Sequence, residues 1–211
     1  INRYADHAIE VEDFGRGIPV DFNQAEQRYN WELVFCEMYA GGKYDNLSGD
    51  SYQFSLGLNG LGLCATQYAS EYMDVCIYRD GYRYTLSFRE GEIAGELHRE
   101  KTERKQTGTR IKWRPDLKVF TDINVPLEYY QQTIKRQAVV NKGIHFILND
   151  IGPNGKQSYE FYYPNGIVDY IAELSQGREL IAPVQYWQTE RSGRDREDRP
   201  EYKFKVEVAV C

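Results

Sequence analysis

The sequence predicts an α+β fold, a two-layer sandwich of helices on a mixed β-sheet. Three observations lead there: short runs of strand-like text, three stretches of near-helical apolar spacing between them, and Gly, Pro, Asn and Asp at the joins. The chain has 211 residues, 41% of them apolar and 14% aromatic, which is one domain's length and enough to bury a core. Charged residues make up 27% and are well mixed, which argues against disorder and low complexity for most of the chain. No window approaches about eighteen consecutive apolar residues, so a membrane-spanning helix is excluded.

Each element has its own warrant. The opening residues are strand-like, and residues 8–13 alternate in part before running into Gly15-Arg16-Gly17-Ile18-Pro19, a strand ending in a glycine-rich loop. Residues 25–39 carry Leu33, Val34, Phe35 and Met38 at near-helical spacing and predict a helix. Residues 40–57 break into Gly, Asn, Asp and Ser, a long loop of the kind that is often functional. A short helix is expected over 60–70. Four strands follow at 73–79, 82–89, 92–100 and 109–113, the first two joined by the hairpin step Arg79-Asp80-Gly81-Tyr82.

Helices are expected at 127–141, closed by Gly143, and at 167–175. Between them, 144–149 and 157–163 flank the turn Pro153-Asn154-Gly155-Lys156. Residues 188–200 are dense in Arg, Asp and Glu and read as a solvated loop. The clean alternation of Phe204, Val206, Val208 and Val210 predicts a closing strand.

Charge and cysteine narrow the function. With 26 basic against 32 acidic side chains the net charge is −6, which argues against this piece gripping nucleic acid by itself. Cys36, Cys64, Cys76 and Cys211 form no CxxC pair, and three histidines are too few and too scattered for a zinc site. Four reduced thiols point to the cytoplasm.

Two glycine clusters carry the chemistry. In Glu12-Asp13-Phe14-Gly15-Arg16-Gly17-Ile18-Pro19 a carboxylate ends a strand, with glycines two and four positions on. Such an Asp can accept hydrogen bonds from a ligand amino group while the glycines leave room for a planar ring; a capped strand-to-loop turn gives the same text. In Gly57-Leu58-Asn59-Gly60-Leu61-Gly62 the glycines lead into a helix, whose first amides can hold an anion. No Lys-Ser/Thr follows, so it is not a P-loop, and the string alone also fits an ordinary loop–helix junction.

In order, Asp13-x-Gly15-x-Gly17, Tyr39-Ala40-Gly41-Gly42-Lys43-Tyr44-Asp45, Gly57-x-x-Gly60-x-Gly62 and Thr107-Gly108-Thr109 resemble the ATPase domain of the type II topoisomerase B subunits, gyrase and topoisomerase IV. The resemblance continues through residues 144–150 and 206–210 and covers nearly the whole chain. It implies a Bergerat-type ATP-binding fold, shared with MutL, the ninety-kilodalton heat-shock chaperone and histidine kinases. It also implies ATP and Mg²⁺ as ligands. Asp13 then receives the adenine amino group, helped by Thr109, with Gly17 packing at the ring. Arg16, Ile18 and Pro19 line the pocket and Arg79 stands at its mouth, the rim where aminocoumarin inhibitors bind in the family. Lys43 and Tyr52 belong to the ATP lid, and Leu58, Asn59, Gly60, Leu61 and Gly62 cradle the phosphates. The implied partners are a second B subunit on ATP binding, the gyrase A subunit, and DNA through other domains.

Three departures from the family pattern qualify these expectations. Leu56 and Asn59 replace a Gly and a His of the phosphate string, and Asn59 keeps a donor but no charge. Phe14 replaces a polar rim residue. The helix that supplies the general-base Glu and the Mg²⁺-holding Asn is expected upstream of Ile1, so residues 1–211 read as an N-terminally incomplete domain, with the start of the transducer domain at the C-terminal end. Glu26 and Asn30 copy the spacing of that helix but follow Asp13, and are rejected as its equivalents. No catalytic residue or metal ligand is therefore assigned in this chain, and poor hydrolysis of ATP by it alone is expected. The alternatives are the B subunit of a topoisomerase IV and a non-catalytic nucleotide-binding paralogue.

Overall fold

A computed structural model describes residues 1–40, 60–194, 196 and 201–211. Their elements are β1 (Asn2–Tyr4), β2 (Ile9–Glu12), β3 (Phe22–Asn23), β4 (Arg28–Tyr29), α1 (Asn30–Cys36), α2 (Gly62–Tyr68), β5 (Ser70–Arg79), β6 (Tyr82–Arg89), β7 (Glu92–Ile93), β8 (His98–Lys101) and β9 (Gly108–Pro115). There follow α3 (Leu127–Val140), β10 (His145–Gly152), β11 (Gly155–Tyr162), α4 (Ile167–Leu174), β12 (Gln185–Gly193) and β13 (Tyr202–Val210). The expected α+β class is what forms.

Two compact units are present. The first, residues 1–40, 60–126 and 148–158, holds most of a mixed sheet in the order β11-β10-β1-β2-β9-β5-β6-β7, with β8 also pairing β6. Only residues 148–158 of β10 and β11 belong to this unit. The sheet is mixed because β1 runs parallel to β10 and antiparallel to β2. Strand alternation turns Met73, Val75 and Ile77 of β5 and Tyr84, Leu86 and Phe88 of β6 to one face. There they bury against Trp31 and Phe35 of α1, Phe35 and Phe88 lying ring to ring at 5.4 Å. This core backs the strand ends that carry the site.

In the second unit α3 and α4 bury Ala138, Val139 and Tyr163, with Ile167 and Tyr170 packed around them. There β12 and β13 pair antiparallel from Gln185↔Val210 to Gly193↔Tyr202. No described helix is long and apolar enough to cross a membrane.

Three expected elements differ. The helix expected over 25–39 forms only as α1. The Asn23 side chain accepts hydrogen bonds from the Ala25 and Glu26 amides at 3.0 and 3.2 Å, a local turn that outcompetes the helix and closes the β3–β4 hairpin. Glu32 then accepts from the Tyr29 amide at 2.8 Å and opens α1 one residue later. The strand expected over 92–100 is two pieces, because the Ala94 amide turns back to Ser87 O at 2.8 Å; β7 pairs one end of β6 and β8 the other. The solvated loop expected from 188 onward is strand as far as Gly193, since a two-stranded ribbon leaves its charged side chains in water and still satisfies its backbone. Residues 41–59, with most of the expected loop, lie outside the described residues.

Candidate functional site

The site is built at the end of β2, where the chain leaves the sheet beside β9 and β5. The Asp13 amide extends the β2–β9 pairing by one bond, to Thr109 O at 2.9 Å. Thr109 is 4% exposed and its hydroxyl accepts the Ile18 amide at 3.1 Å. That hydroxyl keeps its own hydrogen to donate. The loop between Asp13 and Ile18 is thus held at both ends by one threonine.

The glycines serve close backbone approach. Gly17 has φ +77°, and a Cβ there would meet Tyr78 O at 2.9 Å. A Cβ on Gly108, at φ +148°, would fall 2.1 Å from Asp13 O. The Arg79 guanidinium donates to Gly17 O at 3.1 Å and pairs with Asp80 at 3.1 Å. On the other side the Thr107 hydroxyl donates to Gly15 O at 2.6 Å. The Asp13 carboxylate is exposed and accepts from the Gly15 amide at 2.8 Å.

Asp13, Gly17, Ile18, Arg79 and Thr109 are therefore brought together, and half-buried Pro19 leads from the loop to Val20 in the core. Arg16 is exposed on the same loop. Gly60, Leu61 and Gly62 stand at the start of α2, where the first helical bond runs from the Ala65 amide to Leu61 O at 2.9 Å. The first-turn amides before Ala65 have no acceptor within the helix. Lys43, Tyr52, Leu58 and Asn59 lie outside the described residues.

Glu26 and Asn30, which copy a catalytic spacing, share no helix: Glu26 sits in the β3–β4 turn and Asn30 is tied to Asp21 and Asn23 at 3.0 and 3.1 Å. No group of three or more His, Cys, Asp or Glu able to hold a metal occurs among the described residues. Burial, and then the neighbouring Cys64, pushes the Cys36 thiol up to about 11, which favours the protonated thiol at neutral pH.

Sequence reasoning missed Arg104. It pairs with Glu12 at 3.0 Å, donates to Gln106 O at 3.1 Å and stacks on the Tyr78 ring at 4.0 Å. No signal marked it, since a charged stretch between two strands reads as solvent-facing.

No family model matches the chain. The gyrase B protein of Mycoplasma genitalium is 34% identical over 205 residues, which are 94% of this chain and 30% of that protein. The chain is a homologue of the type II topoisomerase B subunits. The corresponding B protein of DNA topoisomerase 4 from Salmonella typhimurium is 33% identical over 82% of the chain and 27% of its own length. The chain therefore spans about a third of the length of these relatives. The 43K ATPase domain of Thermus thermophilus gyrase B, solved with an aminocoumarin, superposes with a TM-score of 0.68 at 22% identity, covering 93% of this chain and 47% of that one. That likeness is one of fold, and it places this homologue in the α+β architecture of the topoisomerase ATPase domain.

Proposed function

We propose that this chain is the ATP-binding region of a gyrase-type B subunit, and that the adenine ring sits against Asp13, Gly17 and Thr109. The observation that carries the reading is the threonine that clamps both ends of the Asp13–Ile18 loop, in a homologue of gyrase B. A carboxylate acceptor and a hydroxyl donor at one strand end match the amino group and ring nitrogen of adenine. Asp13 accepts from the amino group, Thr109 donates to the ring edge, and Gly17, which packs directly on the β5 backbone, holds the loop where the ring meets it. Arg16, Ile18, Pro19 and Arg79 form the rim, which also takes an aminocoumarin.

The phosphates point to the first-turn amides of α2, with Gly60 and Gly62 leaving room for their oxygens beside Leu61; the same reading assigns Leu58, Asn59, Lys43 and Tyr52, outside the described residues, to the triphosphate. Electrostatic positioning of this kind stabilises charge on a phosphoryl group without a covalent step. Mg²⁺ belongs with the phosphates, but the described residues offer no acidic cluster for it and no step is assigned to it. No general base is assigned among them either. In the whole protein, ATP binding joins two B subunits, and hydrolysis resets them while the A subunit and other domains handle DNA in the cytoplasm. Residues 1–211 then belong to the nucleotide-binding domain, with the start of the transducer at the C-terminal end. The longer match to gyrase B favours it over topoisomerase IV.

Equilibrium titration with a non-hydrolysable ATP analogue, followed by competition with an aminocoumarin, tests the reading. Saturable one-to-one binding and displacement are expected. Absence of binding at millimolar analogue contradicts it.

A further inference from the structure

The connection between β8 and β9, residues 102–107, runs along the rim of the site, and Arg104 is where it is fastened. Its guanidinium spans three parts of the site at once. It pairs with Glu12, the last residue of β2 and the neighbour of Asp13. It lies 4.0 Å from the Tyr78 ring on β5, beside the Arg79 that holds Gly17 O. It also donates to Gln106 O, next to the Thr107 whose hydroxyl holds Gly15 O. The Arg104 amide donates in turn to the Thr102 hydroxyl at 3.2 Å, which shapes the connection around it. The exposed Phe14 ring stands 5.9 Å from the same guanidinium.

We propose that Arg104 is a positioning residue for the nucleotide: through Glu12, Tyr78 and Gln106 it locks the 102–107 connection onto the rim and so fixes Asp13, Gly15 and Gly17 in their ligand-receiving geometry. The inference rests on the reading of this site as an adenine pocket. Its physical basis is preorganisation. A polar connection such as Thr102–Thr107 has many conformations to lose on binding, and a planar fork that makes two hydrogen bonds and a stack removes them beforehand. The Glu12–Arg104 pair is part-buried, with 32% and 27% of the side chains exposed, so water screens it only in part. The guanidinium beside the Phe14 ring also gives this rim a cation–aromatic wall for a planar ligand to lie along.

The test uses the full-length protein with Arg104→Ala, Arg104→Lys, Glu12→Gln and Asp13→Asn, read by titration of a non-hydrolysable ATP analogue and by amide hydrogen exchange. Arg104→Ala is expected to raise the analogue's dissociation constant about five- to tenfold. It should also speed exchange at the Asp13 and Ile18 amides, while amides of β5 and β6 keep their protection. Glu12→Gln should reproduce most of this, and the double variant should add little. Arg104→Lys keeps the charge but not the fork, and should leave the core protected while recovering only part of the affinity and of the protection at Asp13 and Ile18.

Asp13→Asn separates the two claims. If it weakens binding and Arg104→Ala does not, the positioning role is overturned and the pocket stands. If Asp13→Asn leaves binding unchanged, the pocket reading falls, and the nucleotide role of Arg104 falls with it. Uniformly faster exchange across β5 and β6 in both Arg104 variants would mark a merely structural residue and also overturn the proposal.

Discussion

Thr109 and Gly108 show how little freedom the site leaves single residues. A methyl group on Gly108 would sit inside the van der Waals radius of Asp13 O, at a φ that L residues rarely adopt. Gly108→Ala is expected to cost roughly 2–4 kcal/mol of unfolding free energy. Gly152→Ala, where the added atom meets open space, should stay within about 0.5 kcal/mol; urea denaturation of the pair checks both. A second residue-scale expectation concerns pH. Glu173 is held below the usual carboxylate range, first by the hydrogen bond from Lys135 and then by that from Tyr163, whose hydroxyl lies 2.5 Å away. Its contribution is therefore present above the ordinary carboxylate pKa and lost as pH falls through the lower, folded value. Melting temperatures of wild type and Glu173→Gln should differ at neutral pH and converge in acid; a gap that persists or widens on acidification contradicts this. Asp13 and Gly17 were candidates because glycine spacing and a strand-ending carboxylate are local text, whereas Thr109 was implied only by the family resemblance. Arg104 was not legible, because two of its partners, Glu12 on β2 and Tyr78 on β5, are distant in sequence.

At the scale of elements, the long strands and α3 followed the apolar pattern, while the departures came where local hydrogen bonds or pairing partners decide. Asn23 and Glu32 shortened the helix expected at 25–39 through turn and capping bonds that periodicity does not weigh. The stretch at 92–100 divides because β6 has room for a partner at each end. Charge density disguised β12, whose ladder with β13 is a matter of backbone rather than of side-chain burial. The packing of α1 on β5 and β6 holds the sheet face behind the site. Phe35 is fully buried against Phe88, so Phe35→Ala should destabilise the protein by about 3–5 kcal/mol, with the cavity adding to the lost transfer energy. Thermal denaturation checks it, and a shift equivalent to less than about 1 kcal/mol would show that α1 contributes little there.

For the molecule as a whole, the net charge of −6 and the glycine clusters both support the proposed reading of this chain as the part that takes a small phosphorylated ligand. The order of the motifs along the chain carried the resemblance that implied this fold, and in the sheet the strand-end Asp13 and Thr109 on the neighbouring strand do meet. The most direct test of the account is calorimetric titration of a non-hydrolysable ATP analogue into wild type and Asp13→Asn. Loss of a charged hydrogen bond is worth about 1.5–3 kcal/mol, so affinity should fall roughly tenfold to a hundredfold. Equal affinity in the two proteins would contradict the assignment of this strand end as the adenine site.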